Sequence, residues 1–170
     1  MKSFIRKSLA TLWGVLGVSF IPAAQAGIIE GINHTHWSIN RFSVDGRSAL
    51  DIIGPWQGGG GGYFSMPARW VPGMTVKVEW ETGVAYPDGF PGFADSVAYE
   101  AWYSAVKAQS RQLHKIVSVP EYTAKEACGI TVHFLPCDDI QVTTSCLGYG
   151  RPGYPIKTPL HLPEPESCPK

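Results

Sequence analysis

The chain of 170 residues carries 14 Lys and Arg against 14 Asp and Glu, so its formal net charge is zero. This balance argues against a nucleic-acid-binding protein, which usually has a surplus of basic residues, and against an acidic disordered tail. Charged residues make up only 16% of the chain, while aromatic residues make up 12% and there are 19 glycines. Such a composition favours one β-rich, well-ordered domain.

The first 26 residues have the pattern of a cleavable secretory signal peptide. Three basic residues precede an apolar run, residues 9–21, that is too short to span a bilayer comfortably. A small-x-small site at residues 24–26 then places cleavage before Gly27, so residues 27–170 are the expected mature domain. Because no cysteine stands at the cleavage point, the sequence predicts a soluble exported protein that is not a lipoprotein and keeps no membrane anchor.

Turn residues separate six or seven short predicted strands along the mature chain. The strand predictions cover residues 28–33, 39–44, 63–66, 74–80, 115–119, 130–135 and 140–145. Apolar and polar side chains alternate in residues 74–80, which indicates a sheet with one buried face. Strands of this number and length favour a mainly β fold, an antiparallel β-sandwich of the immunoglobulin-like type, with a small β-barrel as the alternative.

One inserted helix and an extended tail complete the predicted domain. Residues 95–110 have helical spacing, with Asp95 as the N-cap, and Trp102 is expected to pack the helix against the sheet. From about residue 148 the chain is rich in proline and is predicted to be extended. A glycine run, residues 58–62, lacks the Lys-Ser/Thr pair of a phosphate-binding loop. It predicts a flexible hairpin loop or a place where another backbone comes close.

The four cysteines all lie in the last third of the chain, and an even number in an exported protein indicates two disulfide bonds. Cys128 and Cys146 are each nine residues from Cys137, which lies in the turn between the last two predicted strands. If that turn is the apex of a C-terminal hairpin, Cys128 and Cys146 face each other at its open end and form one bond. Cys137 then pairs with Cys168. A zinc site is the rival interpretation, but the sequence has no CxxC pair.

Catalytic machinery is not evident in the sequence, so we predict a protein that is not an enzyme and uses no cofactor. There is no G-x-S-x-G motif, and the pair Asp138-Asp139 is typical of a turn. His34 and His36 would lie on one face of an extended segment, where they form an alternative metal-binding hypothesis with His133 as a third ligand. The same segment is equally compatible with an ordered turn in which histidine is a hydrogen-bonding side chain.

Aromatic side chains in loops are the best candidates for a binding surface, because exposed loop aromatics often dominate protein–protein interfaces. Trp56 lies next to the glycine run and Tyr63 directly follows it, while Tyr149 and Tyr154 lie in the proline-rich tail. We expect one of these two regions, residues 55–63 or residues 149–154, to contact a protein partner. No nucleic acid is expected, because the basic charge that accompanies base stacking is missing.

Several sequence blocks together resemble a proteobacterial family of small exported proteins that is classified as a domain of unknown function. The blocks are residues 31–35, 39–46, 58–62, 67–80, 119–122, 132–136 and 148–155. Members of that family are often encoded beside type VI secretion phospholipase effectors, which are antibacterial lipases, and some are their immunity proteins. Many relatives are lipoproteins, whereas this chain has Gly27 at the position of the lipid-bearing cysteine.

The resemblance implies a periplasmic immunity protein that binds a cognate phospholipase effector and protects the producing cell and its siblings. Two other classes of function stay open at this point. One is a periplasmic ligand- or carbohydrate-binding module that uses the loop aromatics. The other is a metal-binding protein that uses His34 and His36.

Overall fold

A computed structural model of the chain describes residues 24–168, which form two four-stranded β-sheets and one helix. Most of the predicted signal peptide, residues 1–23, lies outside the described residues. The elements are β1 (Ala24–Asn33), β2 (Ser38–Val44), β3 (Arg47–Ser48), β4 (Gly58–Pro67), β5 (Thr75–Gly83), α1 (Ser96–Lys107), β6 (Arg111–Ser118), β7 (Gly129–Leu135) and β8 (Asp139–Thr143). The sheets have the strand orders β4-β1-β7-β8 and β3-β2-β5-β6. The predicted β-sandwich is confirmed, and the described strands do not close into a barrel.

One strand pair departs from the predicted antiparallel arrangement, because β1 and β7 are parallel. All other paired strands are antiparallel. The chain leaves the first sheet after β1 and returns to it for β4 and again for β7, so β1 and β7 meet only after long excursions into the second sheet. No local turn fixes the direction of such a pair, and the sequence pattern therefore gave no sign of it.

The core forms between the two sheets from strands with alternating burial. In β5, Val76, Val78 and Trp80 are buried while Lys77 is exposed, which confirms the alternation predicted for this segment. The ring of Phe134 on β7 lies 5.2 Å from Phe42 on β2 and 6.0 Å from Trp80, between ring centroids. Aromatic contacts of this kind add to the burial energy, so they help to hold the sheets together.

The glycine run is part of β4 and is explained by a close backbone approach. A Cβ atom at Gly60 would lie 2.5 Å from the carbonyl oxygen of Ile29, and one at Gly62 would overlap the carbonyl oxygen of Ser48. Both glycines also have positive φ angles, 154° and 96°. The interpretation as a close approach is confirmed, whereas the interpretation as a flexible hairpin loop is wrong, because the run lies within β4 and Gly58, Gly59 and Gly60 are paired with β1.

The strand directions place several connections at one end of the sandwich, which we call the helix end. The turn after β1, the long β5–β6 connection that contains α1 and the β7–β8 turn all lie there. The predicted disulfides are confirmed: Cys137–Cys168 lies at the helix end, and Cys128–Cys146 closes the opposite end, with Cα separations of 5.4 and 4.8 Å. One disulfide therefore restrains each end of the β7–β8 pair in the first sheet.

Candidate functional site

Two histidines and a tyrosine form a continuous chain of hydrogen bonds inside the molecule. Nε2 of His34, just after β1, lies 2.8 Å from Nδ1 of His133 on β7. Nε2 of His133 lies 2.7 Å from the hydroxyl oxygen of Tyr154. At the other end, Nδ1 of His34 lies 2.7 Å from the carbonyl oxygen of Pro159. Since all three side chains are buried, this chain connects the first sheet to the C-terminal tail through the interior.

Because burial favours the neutral form of both imidazoles, the carbonyl oxygen of Pro159, which can only accept a hydrogen bond, sets the direction of every proton in this chain. Nδ1–H of His34 therefore donates to Pro159, which leaves Nε2 of His34 as an acceptor. Nδ1–H of His133 donates to that acceptor, and the hydroxyl of Tyr154 donates to Nε2 of His133. Each imidazole ring thus carries a single proton, and the whole chain is uncharged.

The electrostatic environment favours the same uncharged state. Burial lowers the pKa of His133 to about 3, and the neighbouring His34 ring acts in the same direction. Burial also lowers the pKa of His34, although its hydrogen bonds to the backbone of Pro159 and Leu160 oppose that shift. Burial raises the pKa of the Tyr154 hydroxyl to about 12. Neutral groups that satisfy each other's hydrogen bonds are suited to a structural role rather than to proton transfer with a substrate.

The structure brings two of the three predicted metal ligands, His34 and His133, into contact, but His36 lies apart from them. Both ring nitrogens of His34 and of His133 are used in the buried hydrogen-bond chain. His36 is exposed, and its Nδ1 atom lies 3.7 Å from a carboxylate oxygen of Glu164. Among residues 24–168, Cys137, Glu164 and Cys168 are close enough to share an ion, but both cysteines are held in a disulfide. This arrangement favours the other interpretation, an ordered turn with hydrogen-bonding histidines.

The C-terminal residues 148–168, which we call the tail strap, cover the helix end of the first sheet. The backbone amide of Leu162 donates to the carbonyl of His34, and a carboxylate oxygen of Glu164 accepts from the backbone amide of Cys137. The disulfide Cys137–Cys168 fixes the last described residue. The tail was predicted to be extended; residues 148–154 form two hydrogen-bonded turns, and specific contacts hold the strap along its length.

Three of the four aromatic side chains predicted to contact a partner belong to the tail strap or pack against it. Tyr154 is only 1% exposed, so it is a core side chain and not the surface anchor that its position in a proline-rich segment suggested. Tyr149 is half-buried, and its hydroxyl donates to the carbonyl of Thr158. Trp56 stacks on His161 with the ring centroids 3.9 Å apart. Tyr63 on β4 is 84% exposed and is the one of the four that faces solvent fully.

Charged groups at the helix end are paired with each other. Asp138 accepts two hydrogen bonds from the guanidinium group of Arg111, at 2.7 and 2.9 Å, and that group lies 5.4 Å from the ring of Trp37. Asp139 forms an ion pair with Lys115. The two neighbouring carboxylates therefore bind two different cations on β6 and fasten the β7–β8 turn to the second sheet. Asp138 ends the β7–β8 turn, as predicted for this pair, whereas Asp139 is the first residue of β8.

A group of exposed apolar side chains at the helix end belongs to residues 84–110, which we call the aromatic protrusion. It contains α1 and joins β5 to β6. Every residue of α1 is at least partly exposed, so Trp102 does not pack the helix against a sheet as expected. Trp102 instead contacts Phe90 within the protrusion, with ring centroids 5.0 Å apart, and its Nε1–H donates to the carbonyl of Asp88.

Sequence reasoning missed this surface although the signal was present. Six aromatic residues occur within residues 86–103, and three of them recur at helical spacing. Helical spacing of large apolar residues normally indicates a face that packs on a core. In this chain the aromatic residues pack mainly on one another: Phe90, Phe93, Tyr99, Trp102 and Tyr103.

A groove of about 650 Å³ runs between the tail strap and the β7–β8 turn. Its apolar wall includes Leu135, Leu162 and Pro163, and its polar edge includes Lys115 and Asp139. Because one wall belongs to the tail strap, the groove depends on the contacts that hold the strap in place. Its size and lining suit a small apolar or amphipathic molecule.

Comparison with known proteins gives one match. A family model described as "Protein of unknown function (DUF3304)" matches residues 32–142, from the end of β1 to β8. No curated protein and no solved structure matches the chain. Within residues 24–168, no helix is both long enough and apolar enough to cross a membrane.

Proposed function

Because the chain belongs to the DUF3304 family of proteins of unknown function, over residues 32–142, we propose a role that the resemblance of its sequence blocks implies. The protein is a periplasmic immunity protein that binds and neutralises an antibacterial phospholipase effector of a type VI secretion system. It protects the producing cell and its siblings by stoichiometric inhibition, without catalysis of its own.

The observation that carries this proposal is an exposed aromatic surface mounted on a cross-linked scaffold. In the aromatic protrusion, Phe93 and Val97 are each 79% exposed, and Tyr86 is also largely exposed. A few aromatic anchors supply most of the binding energy in protein–protein interfaces, and a rigid binder loses less entropy when it forms a complex. A stoichiometric inhibitor needs both properties.

The paired state of the titratable groups supports a binding role over a catalytic one. The buried histidines bond to each other, to Tyr154 and to a backbone carbonyl. At the helix end, Asp138 binds Arg111. A general acid or base needs a perturbed group that faces a substrate, and these groups face protein partners instead.

The disulfide bonds support the proposed compartment. Both Cys128–Cys146 and Cys137–Cys168 are formed, and disulfides of this structural kind persist in oxidising compartments such as the periplasm. A disulfide-bonded domain therefore fits the periplasmic role that the resemblance implies.

The test uses the oxidised mature chain, residues 27–170, mixed with the phospholipase encoded beside its gene. We expect a stable complex with a dissociation constant in the nanomolar range, which is typical of tight interfaces of standard size, and loss of phospholipase activity at equimolar ratio. Unchanged activity in the presence of excess protein would contradict the proposal. An unrelated phospholipase that is not inhibited by the same preparation is the control for non-specific effects on the substrate.

The groove beside the tail strap favours a second candidate function, an exported module that binds a small apolar or amphipathic ligand. The groove has a volume of about 650 Å³, within the range of ligand sites. Mass spectrometry of lipids extracted from the protein purified from periplasm would identify such a ligand. Retention of one lipid at near one mole per mole, abolished by the substitution Leu162→Asp, would favour this function, and an extract without lipid would exclude it.

A further inference from the structure

We propose that the aromatic protrusion, residues 84–110, is the inhibitory element and that it occupies the apolar acyl-chain cleft of the phospholipase. The inference rests on the proposed function and names the surface and the partner chemistry that the function uses. It moves the interface away from the regions around Trp56 and Tyr154, which hold the tail strap.

The first argument is the distribution of exposed apolar area. Large apolar side chains are exposed along the whole protrusion: Tyr86, Phe90, Phe93, Val97 and Tyr103. They share one connection between two strands, whereas the other exposed apolar residues are distributed among several elements. Contiguous apolar surface of this kind on a soluble protein marks an interaction site.

The second argument is that the protrusion is ordered by its own contacts. Asp95 caps α1 by accepting hydrogen bonds from the backbone amides of Val97 and Ala98, both at 3.0 Å. The Nε1–H of Trp102 ties the helix to the preceding loop at Asp88. The aromatic rings that remain pack edge to face or stacked on each other. A surface that is already ordered loses little entropy when it binds.

The third argument is charge, which decides between possible occupants. Residues 84–110 contain four charged side chains, Asp88, Asp95, Glu100 and Lys107, with a net charge of −2. An element that binds anionic membrane surfaces or nucleic acid needs a basic surplus, and this segment has an acidic one. An enzyme that takes acyl chains must present an apolar cleft, and that chemistry is complementary to uncharged aromatic rings.

The fourth argument is size. The protrusion comprises 27 residues, and a standard protein–protein interface uses about 20–30 residues on each side. The helix with its side chains is about 10–12 Å across, so it is narrow enough to enter a cleft instead of lying on a flat surface. One segment of this chain can therefore supply the whole interface.

Substitutions on the protrusion test the inference. Val97→Asp and Phe93→Ala change two exposed side chains, and an aspartate in the first turn of α1 also suits the helix dipole, so the fold is retained. We expect each variant to bind the neighbouring phospholipase at least tenfold more weakly and to require correspondingly more protein for inhibition. Tyr63→Ala is the matched control, because Tyr63 is equally exposed but lies on β4, and its affinity should stay within twofold.

The outcomes separate this inference from the proposed function. If the wild-type chain binds and inhibits but Val97→Asp and Phe93→Ala do so equally well, the inference is overturned and the immunity function stands. If the wild-type chain does not bind at all, the immunity function itself fails, and the inference fails with it. Circular dichroism and the melting temperature of each variant show that a loss of affinity is not a loss of folding.

A competition experiment tests the cleft as the occupied site. A saturating non-hydrolysable ether phospholipid should weaken binding of the wild-type chain at least tenfold, since both compete for the same apolar surface. Unchanged affinity would overturn the assignment to the cleft. Binding of the chain alone to zwitterionic vesicles, or a dimer in analytical ultracentrifugation that Val97→Asp dissociates, would assign the protrusion to lipid or to a second copy and would also overturn it.

Discussion

At the scale of single residues, the hydrogen bond between His34 and His133 joins the end of β1 to β7. The spacing of His34 and His36 indicated a shared face and hence a metal hypothesis, yet the true partner of His34 is His133, which is 99 residues away. Local spacing cannot reveal such a partner, because the parallel pairing of β1 and β7 brings the two rings together. His133 was correctly placed on a strand, and only its neighbours were unpredictable.

We expect removal of the Tyr154 hydroxyl to lower the free energy of unfolding. The substitution Tyr154→Phe leaves Nε2 of His133 buried without a hydrogen-bond donor, which costs about 1–3 kcal/mol in the free energy of unfolding. Urea denaturation of the oxidised protein measures this change. Tyr63→Phe removes the same hydroxyl from an exposed position and should change stability by less than about 0.5 kcal/mol. Equal effects of the two substitutions would show that the buried chain contributes nothing.

The lowered pKa of His133 predicts that stability depends on pH in a defined window. The folded protein keeps His133 neutral down to a pKa of about 3, whereas the unfolded chain binds a proton near the ordinary value of 6.5. The unfolded state therefore holds more protons between these values, and the free energy of unfolding falls as the pH drops from 6.5 towards 3. The slope reaches at most about 1.4 kcal/mol per pH unit for one proton.

Urea titrations at several pH values measure this slope, and two substitutions show which histidine causes it. His133→Gln removes one of the two buried histidines with a lowered pKa and should reduce the slope, while His36→Gln changes an exposed histidine and should leave it unaltered. A wild-type profile that is flat between pH 6.5 and 4 would contradict the assignment of neutral buried histidines.

At the scale of elements, periodicity predicted the strands and the start of the helix well. It did not predict what the helix packs against. The alternation in β5 and the N-cap Asp95 of α1 were both read correctly from local pattern, because local hydrogen bonds and one buried face determine them. What α1 packs against is a property of the tertiary structure. Its aromatic residues pack on one another inside the protrusion. A helix with the pattern typical of core packing is therefore exposed.

At Gly60 in the glycine run of β4, we expect that even one added methyl group is not tolerated. Gly60→Ala places a Cβ against the backbone of Ile29 at a positive φ angle, and we expect it to lower the free energy of unfolding by about 1–3 kcal/mol or more. Gly148→Ala is the control, because open space surrounds that position. Thermal unfolding followed by circular dichroism compares them, and an unchanged melting temperature for Gly60→Ala would refute the close approach.

At the scale of the whole molecule, covalent restraints were predictable while the closing of the tail over the first sheet was not. The cysteine spacing predicted both disulfides, because the hairpin geometry of β7 and β8 follows from the turn between them. The contacts of Tyr154 and Pro159 depend on a tail that folds back over strands far away in the sequence. A proline-rich composition indicates only that such a tail is extended.

Removal of the disulfide Cys137–Cys168 should loosen the tail strap while the sandwich stays folded. In the double substitution Cys137→Ser and Cys168→Ser, we expect amides of the strap such as Leu162 to exchange hydrogen much faster, since their bonds lose a covalent restraint. The overall loss of stability should be about 2–4 kcal/mol. Amides of β5 should stay protected, and exchange mass spectrometry that found equal acceleration in β5 would contradict a separate strap.

The position of the tail strap in the chain has a consequence for the timing of folding. Residues 148–168 follow all the described strands, so synthesis delivers them after those strands, and so would the export that we propose. Until they arrive, His34 and His133 lack the partners at both ends of their hydrogen-bond chain, and the surface that the strap will cover is open to water. On the proposed export route, the strap can therefore close over the first sheet, and Cys168 can be joined to Cys137, only after the last residues have crossed the membrane.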